Sequence, residues 1–308
     1  DISICVLTEN EMGWTEPFEL DKVQILDNYY LSAQKSDIAF LKKMDTARLL
    51  AGFRTTAGID TKGVRPYGGW EDSLLGGHCV GHYLTALAQA VKVTGDKELK
   101  EKSQTLIAGL EECQKKLGTG FLFGAKVEDK EDVEKQFDIL EGKKKGETWV
   151  PWYNMHKVLA GLVDTYKYTG NETALLVAEK LGDWIYERVS KWDLKTNQKV
   201  LETEYGGMND CLYELYSYSH NKHHLEAAQK FDEKALFLMA AKGEKNCLDG
   251  KHANTQIPKF IGAIKRYNVL KQLGEAKQED EAYLVDAEKF FEMVVKRHSF
   301  VTGGISVM

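Results

Sequence analysis

Three histidines, His82, His156 and His252, stand in or beside the first turn of segments whose apolar residues recur at helical spacing. One such histidine alone is most simply a buried ring that satisfies backbone groups. Three in equivalent places of a repeating unit point instead to a shared pocket. A helix N-terminus disfavours an imidazolium, so neutral rings able to donate and accept are expected there, which suits a polyhydroxylated ligand. His78 and His82 stand four apart on one helical face, a spacing that can clamp zinc. The intervening Cys79-Val80-Gly81 lacks the glutamate of an HExxH motif and supplies no third ligand set, so no metal site is assigned. The pair His223-His224 reads as solvated surface.

The loops leading into these helices carry Tyr67, Trp70, Trp149, Trp152, Tyr153 and Tyr205. Flat rings with polar edges stack on sugar faces, and the alternative for each is ordinary loop packing. Gly68-Gly69 and Gly206-Gly207 would let backbone approach a ligand closely. Glu71, Asp72, Glu202, Glu204 and Asp210 lie in the same loops. Two carboxylates across a pocket could be a general acid and its partner, although an acid near a helix N-terminus is also a favourable cap. A phosphate-cradling glycine loop, a nucleophile elbow and a C-x-x-C clamp are all missing.

The elements that must position these groups are helical hairpins. In WVPWYNMHKVLAGLVDTYKYTGN (149–171), Asn154 is the expected N-cap of a helix running from about Met155 to Thr169. Its buried stripe is Val158, Leu159, Leu162, Val163 and Tyr166, and Gly170-Asn171 is its stop. The unit repeats: LVDTYKYTGN at 162–171 aligns without gaps on LYELYSYSHN at 212–221, and more faintly on LAQAVKVTGD at 87–96. Helices are expected over 27–43, 46–53, 77–94, 97–117, 172–192, about 210–219, 223–242, from the KHANTQIPK loop to about 273, and 280–298. Residues 118–148 show no strong period, and a stretch that long is usually functional or mobile. Loops at one end of the hairpins are decorated (YGGWED, WVPWYN, ETEYGGMN, KHANTQIP) and those at the other are plain. That asymmetry favours an all-α closed toroid with a pocket at one rim. The expected organisation is an N-terminal arm over 1–26 and an α/α barrel over 27–308.

With 41 basic and 47 acidic side chains the net charge is −6, which argues against nucleic-acid or anionic-membrane partners. No apolar run approaches the roughly 20 residues that span a bilayer. Five widely spaced cysteines, Cys5, Cys79, Cys113, Cys211 and Cys247, make no disulfide framework. No basic-plus-apolar stretch follows Asp1, so the sequence is expected to be a processed chain or one from which a leader has been removed.

The motifs YGGWE, GHYLTALA, WVPWYNMHK, EYGGMN, HANTQIPK and the closing VTGG together resemble the β-L-arabinofuranosidases of glycoside hydrolase families 127 and 146, the rim motifs more the latter. The resemblance covers about residues 16–308. It implies an (α/α)6 catalytic barrel followed by β-rich domains, retaining hydrolysis by a zinc-held cysteine nucleophile, and a glutamate acid/base. By motif position it implies that His82, His156 and His252 contact the arabinose ring, with Trp70, Glu71, Asn209 and Asn254 lining the same pocket. The family's acid/base glutamate, zinc-binding glutamate and cysteines follow the VTGG segment, and this chain stops at Met308. It is therefore expected to be an incomplete barrel that carries the substrate side, no catalytic residue and no zinc ligand, and to be inactive alone. The resemblance further implies a plant-derived arabinose-containing glycan as partner and a periplasmic or extracellular location. Two rival readings remain open: a self-contained toroid, either an inverting glycosidase using Glu71 and Glu204 or a histidine-based sugar epimerase, and a non-catalytic carbohydrate-binding module.

Overall fold

The computed structural model describes residues 17–244 and 247–305. Most of the expected arm, and Cys5 with it, lies outside the described residues. The helices in chain order are α1 (Asn28–Lys43), α2 (Thr46–Thr56), α3 (His78–Thr94), α4 (Lys97–Leu117), α5 (Lys135–Leu140), α6 (Pro151–Thr169) and α7 (Glu172–Val189). They continue with α8 (Leu194–Leu201), α9 (Met208–Ser219), α10 (Lys222–Lys230), α11 (Lys234–Ala241), α12 (Ala253–Gln272) and α13 (Glu281–Arg297). No strand occurs among the described residues, only a single bridge between Ser299 and Ile305.

The plain hairpin turns are built as their residues dictate. Gly95, Gly170 and His220 each take a left-handed conformation at a helix C-terminus, and Asp96, Asn171 and Asn221 cap the next helix through their side chains. Helices α3, α6, α9 and α12 pack side by side as the inner layer, with α4, α7, α10 and α13 behind them. The decorated loops consequently share one end. The main core runs from Leu49 to Leu270, and a second, smaller cluster around Phe237, Phe260, Phe290 and Met293 joins α11, α12 and α13.

Four expectations are corrected. Helix α6 starts at Pro151, not Met155. Proline suits the first helical position, where its missing N–H costs nothing, and Asn154 is buried in the first turn donating to the Leu74 carbonyl at 3.1 Å. The partner of α9 is two helices, broken at Phe231-Asp232-Glu233 so that Asp232 can face Arg266 at 2.9 Å. The stretch 118–148 is core-forming. Phe121, Phe123 and Phe137 pack edge-to-face and stacked against one another, Phe121 and Phe137 also meet Trp184, and Phe137 meets Trp152 at 4.9 Å between ring centroids. Arg188 clamps this stretch through Glu134, Asp138 and Glu141 at 3.0, 2.5 and 2.6 Å. Finally, His224 is fully buried, hydrogen-bonded to Ser219 Oγ at 2.8 Å and facing the Glu179 carbonyl, while His223 stacks on Tyr186.

Candidate active site

The inner helices α3 and α6 touch backbone to backbone. A Cβ on Gly81 would sit 1.9 Å from the Lys157 carbonyl oxygen, and one on Gly161 would sit 2.5 Å from that of Gly81. Only glycine allows this approach, which sets His82 of α3 beside His156 and Lys157 of α6. His82 is exposed at the rim. Burial, then the charges of Lys157 and His78, push its ring below the usual histidine range, so it is a neutral imidazole at pH 7.

His156 is buried under the loop before α9. Its Nδ1 accepts the Gly207 backbone N–H at 2.9 Å, which leaves the proton on Nε2. A Cβ on Gly206 would lie 2.3 Å from that Nδ1, and Gly206 has φ +59°. The Gly206-Gly207 pair thus seats a histidine rather than approaching a ligand. Burial, reinforced by Lys157 and His82, holds the ring well below pH 6.5, and it stays neutral.

The other inner helices reach the same rim through polar contacts. Asn254, in the first turn of α12, donates to Glu204 Oε1 at 3.0 Å and also bonds Tyr153, whose hydroxyl is pushed up by burial and the Glu204 charge. Tyr153 carries the Lys157 ammonium 4.8 Å from its ring centroid and lies 6.2 Å from the His78 ring. Trp70, two-thirds exposed, stands 6.3 Å from His78. His82, Tyr153, His156, Lys157, Glu204, Asn254 and Trp70 therefore belong to one rim, of which Tyr153, Lys157 and Glu204 are not among the residues the resemblance picks out. Lys157 closes the WVPWYNMHK motif, but its place on the glycine seam is a tertiary fact.

The remaining candidates are placed otherwise. His252 is the exposed N-cap residue of α12, and no hydrogen bond or ring contact of its side chain joins it to His82 or His156 among the described residues. Asn209 is completely buried, its amide donating to Asp232 at 3.2 Å and to the Lys259 carbonyl at 3.1 Å. Trp152 and Tyr205 are core residues.

Glu71 is held by its own chain. Its Oε2 accepts the Gly77 N–H at 3.0 Å, and its Oε1 accepts the Cys79 N–H at 3.3 Å and faces His78 Nδ1 at 2.9 Å. Although burial works the other way, these bonds hold its carboxyl below the usual glutamate range, so it is an anion that binds the start of α3. Such a group is unsuited to be the proton donor of an inverting pair.

Glu71, His78 and Cys79 also offer ligand atoms within 4.8 Å of one another, the one such group among the described residues. They do not fit zinc. His78 Nδ1 must carry its proton to meet the Leu75 carbonyl at 2.7 Å, and Glu71 lies on that edge, whereas Cys79 Sγ faces Nε2 at 3.6 Å. The two ring nitrogens point apart, so one ion cannot take all three groups.

Helical hairpins with four inner helices side by side define an all-α toroid-type architecture. The chain matches the β-L-arabinofuranosidase GH127 catalytic domain over residues 22–308 and belongs to that family of glycoside hydrolases. The match is to family 127, and the leaning of the rim motifs towards family 146 has no counterpart in it. None of the curated proteins matches. Among solved structures, it is similar to Ara127N-Se, a GH127 β-L-arabinofuranosidase from Geobacillus stearothermophilus T6. The TM-score is 0.53 at 18% identity, over 90% of this chain and 43% of that one. It is also similar to the GH127 β-arabinofuranosidase BT3674, with TM-score 0.59 at 16% identity over 94% of this chain and 45% of that one. At these identities the likeness is one of fold, and the chain spans less than half the length of either relative. No described helix is long and apolar enough to cross a membrane.

Proposed function

We propose that this chain supplies the substrate-side wall of a β-L-arabinofuranosidase site acting on arabinose-containing plant glycans in an exported setting. The observation that carries this reading is the glycine seam, which gathers His82, His156 and Lys157, with Tyr153, Glu204 and Asn254 completing the same rim. In this reading the Nε2–H of His156 donates to one ring hydroxyl, neutral His82 donates to or accepts from another, and Trp70 covers an apolar sugar face. Glu204 and Asn254 would orient the remaining hydroxyls. The acid/base and the zinc-held nucleophile of the family are assigned to sequence outside residues 1–308. The poor fit of Glu71, His78 and Cys79 to zinc supports that assignment.

Isothermal titration of the full chain with a β-L-arabinofuranosyl disaccharide tests both halves. Expected is measurable binding, weakened at least tenfold by His82→Ala and by His156→Gln, roughly the loss of one hydrogen bond to a buried polar partner, with no free arabinose released. Absence of binding, or release of arabinose by the chain alone, would overturn the reading.

A further inference from the structure

Cys79 is the one described cysteine that is not buried, and it stands in a different chemical setting from Cys113, Cys211 and Cys247. It occupies the second position of α3, a 17-residue helix, where the N-terminal end of the helix favours negative charge. Its Sγ lies 3.6 Å from Nε2 of His78, and the opposite edge of that ring is gripped by the Leu75 carbonyl at 2.7 Å and Glu71 at 2.9 Å. Glu71 is in turn fixed by the Gly77 and Cys79 amides. Thiol, imidazole ring and orienting carboxylate therefore stand in one row, the arrangement that activates a nucleophilic side chain. Although burial opposes it, the bonds to Cys79 and Glu71 push His78 up to about 10, so the ring is an imidazolium with an N–H aimed at the sulphur.

We propose that Cys79, positioned by His78 and Glu71, is a reactive thiol site that undergoes exchange with small-molecule disulfides. The sulphur attacks one sulphur of R–S–S–R. The R–S–S–R bond breaks, a Cys79–S–S–R bond forms, and the Cys79 thiol proton ends on the departing R–S⁻, so R–SH leaves. The reaction consumes no reductant or oxidant beyond the disulfide itself. Trp70, His82 and Tyr153 surround the His78 ring at centroid distances of 6.3, 6.1 and 6.2 Å, so the group R would project among the rim residues. Resting on the sugar-site reading above, the adduct would obstruct the rim.

The test is the rate of reaction of the full chain with 4,4′-dithiodipyridine at pH 6, with the site identified by peptide mass mapping. At that pH a free thiol is almost wholly protonated and slow. Cys79 is expected to react at least tenfold faster than N-acetylcysteine under the same conditions, with His78→Gln abolishing the advantage and Glu71→Gln reducing it. Reaction no faster than N-acetylcysteine would overturn the proposal, as would an unchanged rate in a folded His78→Gln chain. Stoichiometric zinc that blocks labelling would overturn it in favour of a metal site. If His78→Gln fails to fold by circular dichroism, the wild-type comparison alone decides. Labelling is read by mass, so its failure is separate from a failure to bind sugar.

Discussion

Two of the seams that join neighbouring inner helices are built in opposite ways. Between α3 and α6 the contact is backbone on backbone through Gly81 and Gly161, with Val80, Leu84, Val158 and Leu162 filling the flanks. Between α9 and α12 polar side chains fill the contact. Asn209 lies against Gly262, and Lys265 pairs with Glu214. Arg266 of α12 and Tyr213 and Asn209 of α9 converge on Asp232 in the turn before α11. Arg266 reaches Asp232 at 2.9 Å, Asp280 at 2.7 Å and the Tyr283 hydroxyl at 3.0 Å, while Tyr213 and Asn209 also donate to Asp232. One seam takes its accuracy from the absence of side chains, the other from fixed hydrogen-bond directions around a planar guanidinium. The glycine seam delivers three rim groups close together. The ionic seam uses up its polar groups internally, which is why Asn209 faces Asp232 and not the rim.

Breaking the ionic seam should cost most. Arg266→Ala leaves Asp232 and Asp280 buried without their partner, and a loss of about 3–5 kcal/mol of unfolding free energy is expected by urea denaturation. A loss under about 1 kcal/mol would mean the cluster is better hydrated than its burial implies. Next is the glycine seam, where Gly81→Ala places a methyl into the Lys157 carbonyl. A cost of about 1–3 kcal/mol is expected, with sugar binding lost in step because the helices must separate. The same change at Gly68, where no atom lies within 4 Å of the added Cβ, should be nearly neutral. Smallest per step is a pH effect confined to the glycine seam. His156 binds its proton far more weakly when folded, so the unfolded chain binds more protons below about pH 6.5. Its contribution is complete above about pH 6.5 and is lost as pH falls, by up to about 1.4 kcal/mol per unit. His156→Gln should flatten that part of the stability curve, and an unchanged slope would show that another group sets it.

Several elements were readable before any coordinates. The turns Gly95-Asp96, Gly170-Asn171 and His220-Asn221 announce themselves because a left-handed residue followed by a capping side chain is a local requirement. The apolar stripe of α6 and the decorated-versus-plain ends of the hairpins are likewise sequence properties. The break at Asp232 was not readable, since KFDEKALF continues a helical pattern and only the distant Arg266 justifies interrupting it. Nor was the aromatic core under 118–148, because Phe121 and Phe137 find their partners on α7 and α6, beyond any local period.

Residue types and spacing alone determined that this chain is a succession of helical hairpins with imidazoles and aromatic rings at one set of ends, because helix periodicity and capping act over a few residues. Which of those groups meet was decided by the tertiary structure. Glycine contacts between α3 and α6 bring His82, His156 and Lys157 together, whereas burial draws Trp152, Tyr205 and Asn209 inward and turns Glu71 into the anchor of His78 and Cys79. The contacts that gather the rim join residues some 50 to 80 positions apart, and no local pattern encodes them.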